Sequence, residues 1–524
     1  MPESYIERIL RARVYDVAEE TPLTRAAGLS RRLGNEVFLK REDLQPVFSF
    51  KLRGAYNKLV HLDKEVLSRG VIAASAGNHA QGVALGAAKL GAQATIVMPR
   101  TTPPIKVQAV RNLGAKSVVH GVSYDDAYLL ALVLEEERGL TFIHPFDDPD
   151  VIAGQGTIAM EILRQHPHSL HAVFVPVGGG GLIAGVAAYI KYVRPDVKVI
   201  GVEPEDAPTL QRAMAAGRRV ELKQVGLFAD GVAVRIIGEE TFRVARKLVD
   251  EVVLVSTDEI CAAIKDIFDD TRGIAEPAGA LSVAGLKHYV EAHQIAGQGL
   301  VAIESGANIN FDRLRHVAER AELGERREAL LAVEIPERPG SFLAFCRTLG
   351  KRQITEFNYR YADQLNAHVF AGVELGGGDE ERGEIIARLE RKGFNVVDMT
   401  DNETAKLHIR FMVGGHVQGI ADEMLVRFEF PERPGALLNF LSGIGRRWNI
   451  SLFHYRNHGA AYGRVLMGLQ VPAVERSELF SLLDGLGYRY WEETENLAYR
   501  LFAGGMCEGR VARCEKEAEG DSVP

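Results

Sequence analysis

The alternation of strands and helices is the feature that most constrains the fold of this 524-residue chain. Before about residue 320, β-branched runs such as 71–75 (VIAAS), 94–99 (ATIVMP) and 173–177 (VFVPV) are each followed by a stretch with helical spacing. The runs are apolar throughout, which is typical of parallel strands covered by helices on both faces. We therefore predict an α/β fold built on parallel sheets, with ligands beyond the carboxyl ends of the strands.

The sequence changes character after about residue 325, where one pattern occurs twice. Residues 329–360 read ALLAVEIPERPGSFLAFCRTLGKRQITEFNYR and are echoed by residues 424–456, and PERPG is identical at 336–340 and 431–435. Each copy reads as strand, turn, amphipathic helix and strand, which is half of a small α+β unit. The repeat by itself leaves open whether these units bind a ligand or only pack.

These patterns divide the chain into a large α/β domain, two α+β repeats and a polar, aperiodic tail that we expect to be disordered. The predicted boundaries are 1–322 for the α/β domain, 328–402 and 423–497 for the repeats, and 504–524 for the tail.

The charge and cysteine content exclude several classes of protein. A net charge of −8 argues against nucleic acid or an anionic membrane surface as a partner. No stretch approaches the ~20 apolar residues of a membrane span, and the charged first 20 residues do not resemble a secretory signal, so we expect a cytoplasmic protein. Four scattered cysteines, Cys261, Cys346, Cys507 and Cys514, are too few for a disulfide framework or a thiolate zinc site.

Four consecutive glycines, 178–181, follow the apolar strand that ends at Val177 and precede a helix that begins near Leu182. Free backbone N–H groups and the positive end of a helix dipole meet at such a junction, so it favours a phosphate. The spacing is not that of a dinucleotide loop, because Ile183 stands where the third glycine belongs, and no P-loop motif occurs. We predict a site for a single phosphate; a simple tight turn is the alternative.

A lysine in an unusual setting lies in SFKLRGAY, residues 49–56, between Phe50 and Leu52. Burial favours the neutral form of an amine, and a neutral amine can attack an aldehyde to form a Schiff base. Taken alone, a lysine beside a phenylalanine is more often a surface residue whose charged end reaches water.

Two further strand ends carry polar residues. In SAGNHAQG, residues 75–82, the amides at a helix start could hold a carboxylate, although Ser75 and Asn78 are also ordinary helix caps. In ESGAN, residues 304–308, the hydroxyl of Ser305 could hydrogen-bond a neutral ring nitrogen, although it could also be a turn serine.

Taken in order, SFKLRGA, SAGNHAQG, GGGGL and SGANINF resemble the motifs of the fold-type II pyridoxal phosphate (PLP) enzymes of the serine/threonine dehydratase group. The C-terminal repeats resemble the tandem ACT-like regulatory domains of the biosynthetic threonine deaminases. The resemblance implies a fold-type II PLP enzyme with two parallel-sheet α/β subdomains, followed by an α+β ACT-like tandem regulatory domain.

The resemblance also implies roles for individual residues. Lys51 would form the Schiff base with PLP and remove the substrate α-proton, Asn78 would contact the ring 3′-oxygen, and Ser305 would contact the ring nitrogen. The implied cofactor contacts are Lys51, Phe50, Asn78, Gly178, Gly179, Gly180, Gly181, Leu182 and Ser305. The implied contacts of the substrate carboxylate are Ser75, Ala76, Gly77, Asn78 and His79.

The activity implied by the resemblance is the deamination of L-threonine, and also of L-serine, with 2-oxobutanoate and ammonia as the products from threonine. Isoleucine would inhibit this first committed step of isoleucine biosynthesis through the ACT-like domains, valine would activate it, and the enzyme would be a homotetramer. The predicted effector residues are Phe357, Tyr359, Arg360, Phe453, Tyr455 and Arg456. In a strand, the aromatic and the polar residues of each run fall on opposite faces. The alternative is that the aromatics are ordinary core residues.

Two relatives of the dehydratases fit the sequence less well. Racemases of this fold carry a serine directly before the loop glycine, where this chain has Ala76, which has no proton to give. Racemase-like members also bind a divalent cation near E-P-x-x-A-x-D. Here Glu203 and Ala207 match, but Thr209 replaces the aspartate, and we predict no metal site.

Two other classes remain as alternatives. A non-catalytic amino-acid sensor derived from such an enzyme would have lost Lys51 or the glycine loop, and both are intact. A cysteine or cystathionine synthase would lack this tandem C-terminal repeat and would use a different asparagine loop. Absorbance of the bound cofactor distinguishes the enzyme from the sensor.

Overall fold

The computed structural model places the chain in two compact units, Met1–Gly324 and Glu325–Pro524. The predicted tail, both PERPG turns beyond their first proline, Cys346, Cys507 and Cys514 lie outside the described residues. The structure describes residues 2–166, 168–336, 345, 348–349, 354–360, 366–411, 422–431, 448–456 and 462–502.

The first unit alternates strands and helices along its whole length. Its strands are β1 (Leu23–Arg25), β2 (Glu36–Arg41), β3 (Val71–Ala74), β4 (Ala94–Met98), β5 (Lys116–Val119), β6 (Thr141–Phe142), β7 (Ala172–Pro176), β8 (Lys198–Pro204), β9 (Glu251–Val255) and β10 (Gly299–Glu304). Its helices are α1 (Pro2–Leu10), α2 (Ala27–Leu33), α3 (Lys51–Val60), α4 (Lys64–Arg69), α5 (Asn78–Lys89), α6 (Pro104–Asn112), α7 (Tyr124–Arg138), α8 (Pro149–Gln165), α9 (Gly181–Val193), α10 (Thr209–Ala216), α11 (Glu239–Leu248), α12 (Thr257–Thr271), α13 (Pro277–His293) and α14 (Arg313–Gly324), with 3₁₀ turns at Glu42–Leu44 and Asp230–Val232.

The strands of the first unit form two sheets. The small lobe is built on a four-stranded parallel sheet in the order β5-β4-β3-β6, and the large lobe on a six-stranded sheet in the order β1-β2-β10-β7-β8-β9. All pairs of the large sheet are parallel except the edge pair of β1 with β2. Every residue of β3 and β7 is buried, as the apolar runs predict. The predicted α/β architecture with two parallel-sheet subdomains is confirmed.

The start of α3 is held by a buried ion cluster. The Arg53 guanidinium lies 2.7 Å from the Glu42 carboxylate and 2.6 Å from that of Glu161, and Lys40 lies 2.6 Å from Glu161. All four side chains are completely buried. Because two cations face two anions, no charge in the cluster is left uncompensated, which a buried cluster requires. The cluster fixes the helix that begins at Lys51.

The second unit contains two sheets of the same design. Its strands are β11 (Glu328–Pro336), β12 (Ile354–Arg360), β13 (Asn366–Glu374), β14 (Asn395–Asp398), β15 (Glu423–Pro431), β16 (Asn449–Arg456), β17 (Tyr462–Gln470) and β18 (Arg489–Glu492). Its helices are α15 (Gly378–Arg391), α16 (Glu403–Leu407), α17 (Arg476–Leu486) and α18 (Leu497–Phe502), with 3₁₀ turns at Ile409–Phe411 and Ala473–Glu475.

The two antiparallel sheets have equivalent strand orders, β12-β13-β11-β14 and β16-β17-β15-β18. Each contains a register shift at the matching place, between Ile354 and Glu356 and between Ile450 and Leu452. The α+β duplication expected from the sequence repeat is therefore present. Among the described residues, none of the helices combines the length and the hydrophobicity that crossing a membrane requires.

Candidate active site

Lys51 is the first residue of α3, and its amine is held inside the first unit. Its Nζ donates a hydrogen bond to the Pro145 carbonyl at 3.0 Å and lies 5.4 Å from the centre of the Phe50 ring. Burial lowers the pKa of the Lys51 amine to about 8, against the opposing influence of the Glu276 carboxylate. An amine with this pKa has a far larger neutral fraction near physiological pH than an ordinary lysine, and the neutral form is the one that acts as a nucleophile or a base.

The glycine loop joins the end of β7 to the start of α9. The first hydrogen bond within this helix runs from the Ala184 amide to the Gly180 carbonyl at 3.0 Å. The amides of Gly181, Leu182 and Ile183 therefore have no carbonyl of their own helix to donate to. Together with the helix dipole, these amides form a place where an anion can bind.

The glycines themselves are explained by protein neighbours. A Cβ atom at Gly179 would lie 2.2 Å from the Phe146 ring, and one at Gly178 would lie 2.9 Å from the Val232 backbone. Gly180 has a φ of +91°, and a Cβ there would lie 2.9 Å from the hydroxyl of Thr241. The surrounding protein therefore excludes side chains at these three positions.

The loop after β3 leaves a second set of amides free. Helix α5 begins at Asn78 with Gly77 as its N-cap, and no side chain caps it. The Ser75 hydroxyl accepts from the Gly77 amide at 3.2 Å and so orders the turn. The first backbone bond of this helix runs from Gln81 to Gly77, which leaves the amides before Gln81 without a helical partner. The start of α5 can therefore accept a carboxylate.

His79 lies on α5 next to this turn, with its ring fully inside the protein. Its Nε2 lies 2.8 Å from the Ile143 carbonyl, which can only accept, so Nε2 carries the hydrogen. Burial and the nearby Lys51 amine lower the pKa of His79 to about 3, so the ring is neutral. Its Nδ1 is buried and has no hydrogen-bond partner within the described part of the chain. His79 thus adds an unsatisfied acceptor to the site.

Asn78 is held by two residues that the sequence did not single out for this role. Its side-chain NH₂ donates to the Glu276 carboxylate at 2.6 Å, and its carbonyl accepts from the Asn308 side chain at 2.7 Å. Burial and the neighbouring Asp230 carboxylate raise the pKa of Glu276 to about 7. The only sequence signal for Glu276 was an acidic residue before Pro277, which is common at ordinary helix starts.

Ser305 follows β10 and is brought to the neighbourhood of Lys51. Its carbonyl accepts from the Phe50 amide at 3.2 Å, and its hydroxyl donates to the Ala278 carbonyl at 3.3 Å. The side chain is 3% exposed. The turn of residues 305–308 therefore lies directly against the start of α3. This contact agrees with a site at the carboxyl ends of β3, β7 and β10, where parallel sheets bind their ligands.

Glu203, a residue of the cation stretch considered in the sequence, caps a helix. Its carboxylate accepts from the amides of Leu210 at 2.7 Å and Gln211 at 2.9 Å, at the start of α10. Burial raises the pKa of Glu203 to about 8. No group of three or more metal-ligating side chains occurs among the residues that the structure describes. The absence of a metal site remains a prediction.

The predicted effector residues lie on β12 and β16. The backbone of Phe357 pairs with that of Ala371, Tyr359 pairs with Val369, and Arg360 pairs with His368. In the second repeat, Phe453 pairs with Met467, Tyr455 with Val465 and Arg456 with Arg464. Val369, Ala371 and Met467 belong to the cores of their repeats. The effector side chains lie outside the described residues, so the effector assignment remains a prediction.

The chemistry of these groups fits a phosphorylated pyridine aldehyde together with an amino acid. The anion site at α9, the carboxylate site at α5, the Lys51 amine and the His79 acceptor are linked by one segment, residues 143–146, which contacts His79, Lys51 and Gly179. The donor set therefore matches PLP and its amino-acid substrate.

Comparisons with known proteins agree with this chemistry. Residues 14–306 match the pyridoxal-phosphate dependent enzyme family, and residues 319–409 and 414–503 match the C-terminal regulatory domain of threonine dehydratase. The biosynthetic L-threonine dehydratase IlvA of Burkholderia multivorans is 60% identical over 504 residues, which cover 95% of this chain and 99% of that protein.

Two solved structures are similar to part of the chain. The processed form of threonine deaminase isoform 2 from Solanum lycopersicum is 53% identical with a TM-score of 0.60, covering 61% of this chain and 93% of that one. Maize serine racemase is 32% identical with a TM-score of 0.56, covering 60% of this chain and 96% of that one. The dehydratase similarity is stronger and, in the Burkholderia protein, extends over nearly the whole chain.

Proposed function

The chain belongs to the pyridoxal-phosphate dependent enzymes, and within them to the biosynthetic threonine dehydratases; from this premise we propose that it converts L-threonine to 2-oxobutanoate and ammonia. The structural observation that carries the proposal is the buried Lys51 amine, whose pKa is lowered to about 8 and whose helix starts against the 305–308 turn. The reaction is the committed step toward isoleucine, and L-serine is a second substrate.

The residues that would hold PLP surround Lys51. The free amides at the start of α9 suit its phosphate, and an amide hydrogen of Asn78 suits its ring oxygen. The Ser305 hydroxyl suits its ring nitrogen once it rotates away from the Ala278 carbonyl, to which it donates in this structure. The proposed cofactor contacts are Phe50, Lys51, Asn78, Gly178, Gly179, Gly180, Gly181, Leu182 and Ser305.

Pyridoxal phosphate, when bound, supplies electron withdrawal from the α-carbon of the amino acid, which acidifies the α-proton. The free amides of Ala76, Asn78 and His79 bind the substrate carboxylate, with Ser75 and Gly77 ordering the turn around it, and so hold the α-carbon in a fixed orientation. Lys51 takes the α-proton on Nζ, for which a pKa of about 8 is suitable. Ser305 carries no charge, so it does not stabilise a protonated ring nitrogen. Because the unprotonated ring withdraws fewer electrons, rapid loss of the β-hydroxyl is favoured over racemisation. Ala76 supplies no acid on the opposite face.

The second unit matches the regulatory domain of threonine dehydratases, so this chain carries a regulatory domain. We propose that isoleucine binds there as an inhibitor and valine as an activator, and that the enzyme is a cytoplasmic homotetramer. These assignments rest on the family resemblance. Isoleucine would inhibit because it binds the inactive state more tightly than the active state, and such a coupling free energy is typically ~1–3 kcal/mol.

The test of the proposed function is a 2-oxobutanoate assay of the purified full chain with L-threonine, with and without isoleucine. We expect PLP-dependent turnover that isoleucine suppresses. Chiral analysis of unreacted threonine and serine serves as the control for racemisation. Racemisation without 2-oxobutanoate would replace the dehydratase assignment by a racemase, and a protein that binds amino acids without turnover would be a sensor.

Removing the second unit will separate catalysis from regulation. A chain that ends at Gly324 keeps both parallel sheets and every proposed cofactor contact, because the first unit is compact by itself. We expect it to bind PLP and dehydrate threonine without inhibition by isoleucine, as measured by 2-oxobutanoate formation over an isoleucine titration. An active truncated chain with full sensitivity would place the effector site in the first unit.

Replacing Tyr359 by alanine will weaken the response to isoleucine while leaving uninhibited turnover nearly intact. The expected shift of the inhibition midpoint is about 10-fold, since removing an aromatic contact reduces a coupling of ~1–3 kcal/mol. Tyr359→Phe is the matched control, and Tyr455→Ala tests the equivalent position of the second repeat. If both alanine variants keep the wild-type inhibition curve, the effector pocket lies elsewhere in the second unit.

A further inference from the structure

A buried glutamate connects two parts of the candidate site that come from different lobes. Glu276 precedes α13 of the large lobe and is 4% exposed, while Asn78 begins α5 of the small lobe. Their side chains are 2.6 Å apart although 198 positions separate them in the sequence. The Glu276 amide also donates to the Gly306 carbonyl at 3.0 Å. Glu276 therefore contacts both Asn78 and the turn that contains Ser305.

The hydrogen bonds of Asn78 determine which way its amide faces. The Asn308 side chain can only donate through its NH₂ group, and it donates to the Asn78 carbonyl at 2.7 Å. The Glu276 carboxylate can only accept when it is ionised, and it takes one hydrogen of the Asn78 NH₂ group. The second hydrogen of that group has no protein acceptor among the described contacts. A flipped amide would place two acceptors together at Glu276 and two donors together at Asn308.

The turn of residues 305–308 is fitted closely around this pair. A Cβ at Gly306 would lie 2.8 Å from the Glu276 carboxylate, so only glycine leaves room for it. The Asn308 NH₂ group also donates to the Val47 carbonyl at 2.8 Å, which orients it toward Asn78. The three side chains thus form one connected network that spans the two lobes.

We propose that Glu276 is a positioning residue for the cofactor ring: with Asn308 it fixes the Asn78 amide so that a free N–H faces the ring oxygen, and it holds in place the 305–308 turn that carries Ser305. The proposal rests on the proposed function, because it assumes that PLP is bound at Lys51. In this proposal Glu276 acts through Asn78 and does not contact the substrate.

The groups around Glu276 act on its charge in opposite directions. Asp230 lies between the Lys106 amine at 3.0 Å and the Arg313 guanidinium at 3.4 Å, and this group adjoins Glu276. On the other side is the Lys51 amine, whose pKa Glu276 raises. Lys106 and the hydrogen bonds from Asn78 and Asn308 favour the ionised form of Glu276, whereas burial and Asp230 raise its pKa to about 7, so Glu276 is mainly ionised above about pH 7.

Replacing Glu276 by glutamine tests the proposal on the full-length holoenzyme. Glutamine has the same shape but offers both a donor and an acceptor, so it no longer selects one orientation of Asn78. We expect PLP affinity, measured by equilibrium dialysis against free PLP, to fall about 10-fold. We also expect the absorbance maximum of the bound cofactor to shift, because its ring oxygen loses a fixed donor. Glu203→Gln is the matched control: it makes the same substitution at another buried glutamate, which caps α10, and both readouts should stay at wild-type values.

A double-mutant cycle with Asn78→Ala separates positioning from general structural support. If Glu276 acts through Asn78, then Glu276→Gln will weaken PLP binding by no more than about twofold in the Asn78→Ala background. Full additivity of the two effects, or wild-type affinity and absorbance in Glu276→Gln, would overturn the proposal. Should Glu276→Gln fail to fold, Asn308→Ala carries the same expectation. A wild-type protein that binds no PLP would instead overturn the proposed function.

Discussion

Replacing Lys51 by alanine will abolish the yellow absorbance of the attached cofactor and lower threonine dehydration by at least ~10³-fold. The loss is large because one amine would serve two purposes, attachment of the cofactor and removal of the α-proton. The structure gives that amine the required properties, a pKa lowered to about 8 by burial and a defined position against the Pro145 carbonyl. The measurement is 2-oxobutanoate formation at saturating PLP and threonine.

Lys58→Ala is the matched control for this variant, because Lys58 lies on the same helix α3 and pairs with Asp148 at 2.8 Å at the surface side of the helix. It should keep both the absorbance and the turnover. Appreciable threonine dehydration by Lys51→Ala would show that another base removes the α-proton. Lys106 would be the first candidate, and the Lys51→Ala, Lys106→Ala double variant would then be assayed.

The sequence predicted the parts of the fold that depend on local pattern. The apolar runs at 71–75 and 173–177 became the buried strands β3 and β7, since a strand covered on both faces needs apolar residues at every position. The motifs at Lys51, Asn78, the glycine loop and Ser305 all fall at helix starts or strand ends. Such junctions have recognisable local signals, namely glycines, small polar residues and a change of periodicity.

The contacts that join these motifs were beyond sequence reasoning. The hydrogen bond from Asn308 to Asn78 joins residues 230 positions apart, and nothing in either local sequence indicates the other. The segment that carries Ile143, Pro145 and Phe146 is a second example. It accepts hydrogen bonds from His79 and Lys51 and packs against Gly179. Its sequence, IHPFDD, has the composition of an ordinary loop. Such contacts follow from the packing of lobes, which a single sequence does not reveal.

The glycine loop has two properties, and only one of them bears on the predicted phosphate site. The first is the lack of side chains, which the surrounding protein already requires, because Val232 lies beside Gly178 and Phe146 lies beside Gly179. What remains for the ligand is the other property of the loop, its free amides at the start of α9. A test of phosphate binding should therefore perturb those amides and distinguish that effect from crowding.

Replacing Gly180 by aspartate does this, and we expect it to weaken PLP binding about 100-fold. Gly180 is the N-cap of α9, where an aspartate side chain accepts hydrogen bonds from the second and third amides of the helix. Those are the amides of Leu182 and Ile183, so the new carboxylate would compete directly with the cofactor phosphate and also repel it. Bound PLP after dialysis, with circular dichroism as the check on folding, measures the effect.

Two controls separate the charge from the other consequences of this substitution. Gly180→Ala introduces the same strain, since Gly180 has a φ of +91° and any Cβ meets the Thr241 hydroxyl, but it adds no competing acceptor. Gly217→Asp places the same residue at another positive-φ glycine, at the end of α10, where nothing lies within 4 Å. If charge competition governs binding, the aspartate at position 180 will release far more PLP than the alanine, and the change at position 217 will release none. Equal retention of PLP by the wild type and a folded Gly180→Asp variant would show that the loop is only a turn and that the phosphate is held elsewhere.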